Sequence, residues 1–287
     1  MIHSIQLIIA DTFGLSHWDA LWMNTLNSLA NRLLPHDTYR RLFSIVRAEK
    51  FARYQQLRTV TDGEYSYLPF DRTQSIFIHI PKAAGSSVCL SLYGNLAGGH
   101  TPMDQYRVIF SKEEFNKYFK FTFVRNPWDR LYSAYTFLKA GGLNQDDKEW
   151  SSNNLARLEN FEDFVLNWLS PTNLHSYIHF KPQLDLLTIP HTNKMPLNYV
   201  GFFENLQSDF EHIKRIVNPD ATLKHDNKTL VSTSTGYRNS YTDAMIKKVG
   251  YLYRKDIEVF GYSFDNSTIQ EQIGYRDNNS FNHIKTG

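Results

Sequence analysis

"IFIHIPKAAGSSVCLSLYG", residues 76–94, passes from an apolar, strand-like run through a small-residue loop into a helix. The run is apolar enough for a strand buried on both faces of a parallel sheet. In the loop PKAAGSS, Gly85 and the two alanines let backbone N–H groups approach an anion, and the helix adds the positive end of its dipole. Ser86 and Ser87 stand where hydroxyls can donate to phosphate oxygens, and Lys82 supplies a point charge. A nucleoside-triphosphate loop reads GxxxxGK(S/T), with lysine after the last glycine and a hydroxyl placed for magnesium. Here Lys82 precedes Gly85 by three residues, so that geometry is not encoded. A magnesium–ATP phosphotransferase is the poorer reading. Taken alone, the loop also resembles any strand–helix connection.

A second motif narrows the choice. FTFVRNPWDRLYSAY, residues 121–135, puts Arg125 directly after an apolar strand, at the carboxyl end where open α/β sheets bind ligands. Asn126 reads as a helix cap, Pro127 as its first-turn residue and Asp129 as a favourable first-turn charge. Ser133 follows inside that helix, which stops at Gly141-Gly142. Strand–helix–strand–helix predicts an α/β fold, a parallel P-loop-like sheet flanked by helices. Lys82 and Arg125, both at carboxyl ends of strands, then face one crevice and suit a ligand with two separated anionic groups.

Around this centre the pattern is helical. Trp18, Leu21, Trp22, Leu29 and Leu33 form one stripe and Tyr39, Leu42, Phe43, Val46, Tyr54 and Leu57 another. They predict a helical extension over 1–72, docked on a main domain at 73–264, with a poorly ordered polar tail at 265–287. GGHTPMDQYRVIF, from residue 98, reads as irregular, and SKEEF has capping-box spacing at Ser111 and Glu114. Residues 143–160 read as a long, mobile polar loop. The stretch 242–260 reads as one strong helix.

Composition excludes several classes. Apolar residues make up 41% of the 287, enough for a packed core, and a net charge of +2 gives no global reason to expect nucleic acid. The single cysteine, Cys89, can form no intrachain disulfide and points to a reducing compartment. The apolar run Ile5–Ala10 is too short for a leader's core or a membrane span, so a cytoplasmic protein is expected. No metal-ligand spacing such as HExxH or CxxC is present, and metal-independent chemistry is expected.

The two motifs together resemble the two cofactor motifs of sulfotransferases that use 3′-phosphoadenosine-5′-phosphosulfate (PAPS). They are most similar to the branch of Golgi-type carbohydrate sulfotransferases and their bacterial relatives. Supporting segments are GGH with YRVIF, VGFFENLQSDF, HDNK and YTDAMIKKVGYLYRKDIEVFGYSF, so the likeness covers residues 75–264. It implies that Lys82, Ala83, Ala84, Gly85, Ser86 and Ser87 form the 5′-phosphosulfate loop, and that Arg125 and Ser133 bind the 3′-phosphate. Tyr237 and Arg238 align loosely with a later cofactor-contacting stretch. It also implies a base histidine near His100, with Lys82 at the leaving phosphate. His179, Lys181 and Gln183 would line the acceptor pocket. His79 is another candidate base but reads better as a core group; Glu204 and Gln183 match family patterns and both also read as structural; Cys89 reads as packing. The expected reaction is in-line sulfuryl transfer to a hydroxyl, on a carbohydrate. The alternatives are a small alcohol or phenol as acceptor, or a binding protein on the same fold without turnover. The Golgi relatives' membrane anchor and disulfides have no counterpart in this sequence, which places their own substrates in doubt here.

Overall fold

Three parallel strands carry the fold of the computed structural model: β1 (Ser75–Ile78), β2 (Phe119–Val124) and β3 (Tyr199–Phe202), in the order β1-β2-β3. The structure describes residues 30, 33–60, 65–189, 192, 194–224 and 236–278. Ile78 pairs with Thr122 and Val124 with Phe202, so the carboxyl ends of neighbouring strands open side by side. Every residue of β1 is buried, and Phe77 stacks on Phe121 of β2 at 4.9 Å between ring centroids. A strand covered on both faces tolerates no regular polar alternation, which is why its sequence reads as continuous apolar residues. The α/β sheet flanked by helices expected from the sequence is present.

The two motif helices are α4 (Gly85–Leu92), after β1, and α7 (Pro127–Lys139), after β2. Asn126 caps α7 by accepting the Trp128 N–H at 3.0 Å, and Gly141 and Gly142 end it with φ of 96° and 69°. Before β1 come α1 (His36–Val46), α2 (Ala48–Gln56) and α3 (Leu68–Thr73). Tyr39, Phe43 and Tyr54 turn inward as their stripe predicts, whereas Leu42 and Val46 are exposed. The first stripe lies outside the described residues up to Leu29, and so does HDNK; Leu33 is exposed.

Three stretches differ from their reading. Residues expected to be irregular form α5 (Met103–Ile109), and α6 (Lys112–Lys117) follows with its capping box in place. Met103, Tyr106, Arg107, Val108 and Ile109 are all buried, so α5 shows no exposed face and no helical period. α1 and α2 pack on it: Arg40 donates to Val108 O at 3.0 Å and Tyr54 to Gln105 at 2.7 Å. The expected loop at 143–160 contains α8 (Gln145–Asn154), capped by Asn144 and pinned by buried Asp147 and Ser151. The expected tail contains α13 (Ile269–Asn278), whose Arg276 pairs with Asp209 at 2.7 Å. Between them, α9 is Gln183–Leu187 and α10 is Leu206–Val217. The stretch read as one long helix is two, α11 (Asp243–Leu252) and α12 (Arg254–Phe260), with a break at Tyr253. Among the described residues no helix is long and apolar enough to cross a membrane.

Candidate active site

The loop between β1 and α4 owes its shape to residues other than its glycine. Lys82 and Ala84 adopt left-handed backbone, with φ of 67° and 62°, a region that side chains with a Cβ rarely enter. Gly85 has ordinary φ; its lack of a side chain serves His79, because a Cβ there would lie 1.8 Å from His79 Cδ2. Ser86 and Ser87 occupy the first turn of α4. The Lys82 ammonium lies 4.0 Å from the Phe137 ring centroid and forms no ion pair among the described residues. Burial and the charge of Arg125 lower its pKa to about 8, opposed by Asp147.

Arg125 is completely buried and ties the two motifs together. Its Nη1 donates to Lys82 O at 2.8 Å, its Nε donates to Asp129 at 2.8 Å, and its guanidinium covers the Phe203 ring at 4.1 Å. The Gln183 side chain accepts the Arg125 N–H and donates to the Arg125 carbonyl, both at 2.9 Å. Gln183 is therefore a strut under β2 and not a lining residue of an acceptor pocket; both ends of its amide are consumed and it is fully buried. Glu204 is structural as expected: it accepts the Asn126 N–H at 2.7 Å and the Tyr262 hydroxyl at 3.1 Å, and burial raises its pKa to about 7. Ser133 stands half-buried further along α7. Tyr237 and Arg238 donate to the carbonyls of Phe264 and Asp265, beside the first turn of α7, where Tyr241 donates to Trp128 O at 2.8 Å. The Arg238 Nε is buried without a hydrogen-bond partner among the described residues.

Next to the loop three histidines converge. The His79 and His100 rings are 4.3 Å apart and those of His100 and His179 6.1 Å. His100 Nδ1 lies 3.0 Å from His79 O. A carbonyl only accepts, so Nδ1 carries the hydrogen and Nε2 keeps its lone pair. Burial pushes the His100 pKa down to about 4. His179 packs on Phe137, the ring that also carries Lys82, at 5.1 Å. Lys181 stands apart: its carbonyl accepts from Arg130 at 2.5 Å and its charge acts on Asp185. His79 lies just past β1, is buried and stacks on Phe77 at 5.7 Å; its Nδ1 has no hydrogen-bond partner among the described residues. Asp147, Phe137, Tyr177 and Arg130 join the cluster without having been singled out. Only Asp147 had a sequence signal, the capping spacing from Asn144, and that marks a helix start rather than a site. A cleft of about 750 Å³ lies elsewhere, at the start of β3 beside Asn198 and His212, and receives none of these residues.

Among the described residues no group of three or more His, Cys, Asp or Glu side chains is arranged to hold a metal. Carbohydrate sulfotransferase 11 of Rattus norvegicus is similar to this chain, 21% identical over 277 residues that take in 83% of this chain and 79% of the relative. No solved structure matches. Residues 66–263 match the model of the sulfotransferase family. That match runs unbroken from just before α3 to just past Gly261, through both motifs and all three strands, and the chain belongs to the sulfotransferase family.

Proposed function

We propose that this sulfotransferase takes its sulfuryl group from PAPS and passes it to a carbohydrate hydroxyl, in a reducing, cytoplasmic setting. One observation carries the reading: two cations, half-buried Lys82 and fully buried Arg125, follow neighbouring parallel strands, and Arg125 Nη1 donates to the Lys82 carbonyl at 2.8 Å. Arg125 is already paired with Asp129, whereas the Lys82 ammonium has no ion pair among the described residues and is opposed by the Arg125 charge, so an anion beside Lys82 would relieve it. The left-handed turns at Lys82 and Ala84 and the start of α4 fit the 5′ phosphosulfate. Arg125, Ser133, Tyr237 and Arg238 fit the 3′-phosphate side. The half-buried rings of Phe137, Tyr177 and Trp150 beside the histidines suit the apolar faces of a sugar, and the likeness to a carbohydrate sulfotransferase points the same way.

The donor supplies a sulfuryl group on a phosphate leaving group. For their part, the side chains position, neutralise and move a proton. His100 Nε2 takes the proton of the acceptor hydroxyl as that oxygen bonds to sulfur. The bond from sulfur to the phosphate oxygen breaks, and the Lys82 ammonium stabilises the electron pair left there. His100 is a weak base in the free protein chiefly because it is buried; the Lys82 charge adds to this, and a bound anion offsets that smaller part.

The test is calorimetric titration with 3′-phosphoadenosine-5′-phosphate, and separately with ATP and magnesium. Tight binding of the former alone supports the donor; binding of ATP with magnesium instead, or of neither, overturns it. Arg125→Ala should weaken 3′-phosphoadenosine-5′-phosphate at least about tenfold more than adenosine 5′-phosphate, the share of one charge-assisted bond. Equal losses would remove Arg125 from 3′-phosphate recognition. The reaction needs His100 neutral and Lys82 protonated, so kcat/KM should rise as pH passes about 4 and fall as it passes about 8. A profile flat from pH ~7 to ~9 would dismiss the Lys82 charge.

A further inference from the structure

Asp147 is a carboxylate whose charge acts on Lys82, His100 and His179 alike. It is 4% exposed and sits in the first turn of α8, where its own N–H donates to Asn144 at 2.9 Å. Its Oδ2 accepts the Leu143 N–H at 2.9 Å and its Oδ1 the Tyr177 hydroxyl at 2.5 Å. The same Oδ1 lies 3.5 Å from His179 Nε2, the long end of hydrogen-bonding reach and common for catalytic pairs before substrate arrives. Burial opposes ionisation, yet the bonds from His179 and Tyr177 hold the carboxyl well below the usual range, so the group is an acceptor throughout.

A neutral imidazole has one N–H. With Nε2 as the donor to Asp147, His179 keeps a bare lone pair on Nδ1. That nitrogen is buried and has no hydrogen-bond partner among the described residues. Buried acceptors are ordinarily matched by a donor, and a hydroxyl of a ligand bound in this cluster would supply one. The His179 ring packs on Phe137, which carries the Lys82 ammonium on the same ring, and lies 6.1 Å from the His100 ring, so this nitrogen belongs to the cluster at the transfer site. An acceptor hydroxyl that gives its proton to His100 has no second hydrogen to offer His179.

We propose that Asp147 is a positioning residue that fixes His179 as a hydrogen-bond acceptor, and that the acceptor substrate must therefore carry a second hydroxyl beside the one that reacts. The inference rests on the sulfotransferase site described above and narrows its substrate to a diol-bearing acceptor such as a sugar ring. Asp147→Asn reverses the arrangement: its single oxygen is needed by the Leu143 N–H, which turns the NH₂ toward His179 Nε2 and forces the hydrogen onto Nδ1. The same exchange of acceptor for amide inverts the imidazole of a serine protease.

Nitrogen-15 spectra of labelled histidines read the outcome directly and need no donor. The parent should show His179 with its hydrogen on Nε2, and Asp147→Asn should show it on Nδ1. An Nδ1–H parent, or a variant without change, overturns the positioning role. Adding cis-1,2-cyclohexanediol should shift His179 Nδ1 and His100 Nε2 together, while cyclohexanol, with one hydrogen to donate, should not shift both. Equal shifts from the two alcohols, or none, overturn the second-hydroxyl requirement. If Asp147→Asn fails to fold, Tyr177→Phe decides: it removes a competing donor from Oδ1 and should raise the titration midpoint of His179. No rise overturns the role. The other groups facing His179 are Lys82 from the loop, Arg130 from α7, His100 and His79, all unchanged in that variant. Failure of 3′-phosphoadenosine-5′-phosphate to bind the parent would instead count against the donor assignment and leave these spectra readable.

Discussion

Lys82→Ala is expected to lower the transfer rate by about 10³-fold or more, the range for removing a cation or donor that meets developing charge in a dry site. The ammonium has no ion pair among the described residues and rests on an aromatic face, so little native bonding is lost with it. Burial already penalises its charge, which is why its pKa is near 8. Stability should consequently change by less than about 1 kcal/mol, and the backbone strain is unaltered because alanine dislikes left-handed φ as lysine does. A thermal melt beside a single-turnover rate with labelled PAPS makes the comparison. Unchanged turnover in a folded variant would take Lys82 out of the chemistry.

His100→Ala should cost about 10² to 10⁴ in transfer rate, the usual worth of a placed general base, with donor affinity nearly intact. The rival view is that His100 only braces a turn through Nδ1 and the His79 carbonyl. His100→Asn separates the two, since its amide can keep the bond to His79 O but provides no base. Both variants should be equally slow. Restoration of rate by asparagine, or a loss confined to donor binding, would leave His100 a bracing group.

Much of this was legible because strands, caps and breaks are local. FKFTFV followed by Asn-Pro-x-Asp can hardly be anything but a buried strand feeding a capped helix, and Ser111 with Glu114 states its own capping box. The segments misread are those whose order comes from distant partners. α8 is too polar to advertise a buried face, yet Asp147 meets Tyr177 thirty positions away in sequence. α13 looked like a tail because its anchor, Arg276, meets Asp209 and the Val200 carbonyl, 67 and 76 residues earlier. Gln183 matched a site pattern and read as structural too, and the fold decides between them by using both ends of its amide on Arg125. The histidine cluster lay beyond reading for the same reason: His79, His100 and His179 come from three separate segments.

The two left-handed residues of the loop bear on how the site comes into being. Each costs about 1–3 kcal/mol and persists only where surrounding structure over-determines it. At Lys82 the restraint is Arg125, 43 positions onward, itself held by Asp129 and Gln183. The loop's shape is thus a late, non-local product of folding: contacts closed over long stretches form slowly. An emerging chain that has exposed only the first motif has a strand and a helix but not yet a binding turn. Competence arrives when β2 is laid beside β1, so an unfinished or misregistered sheet is also a sheet that captures no donor.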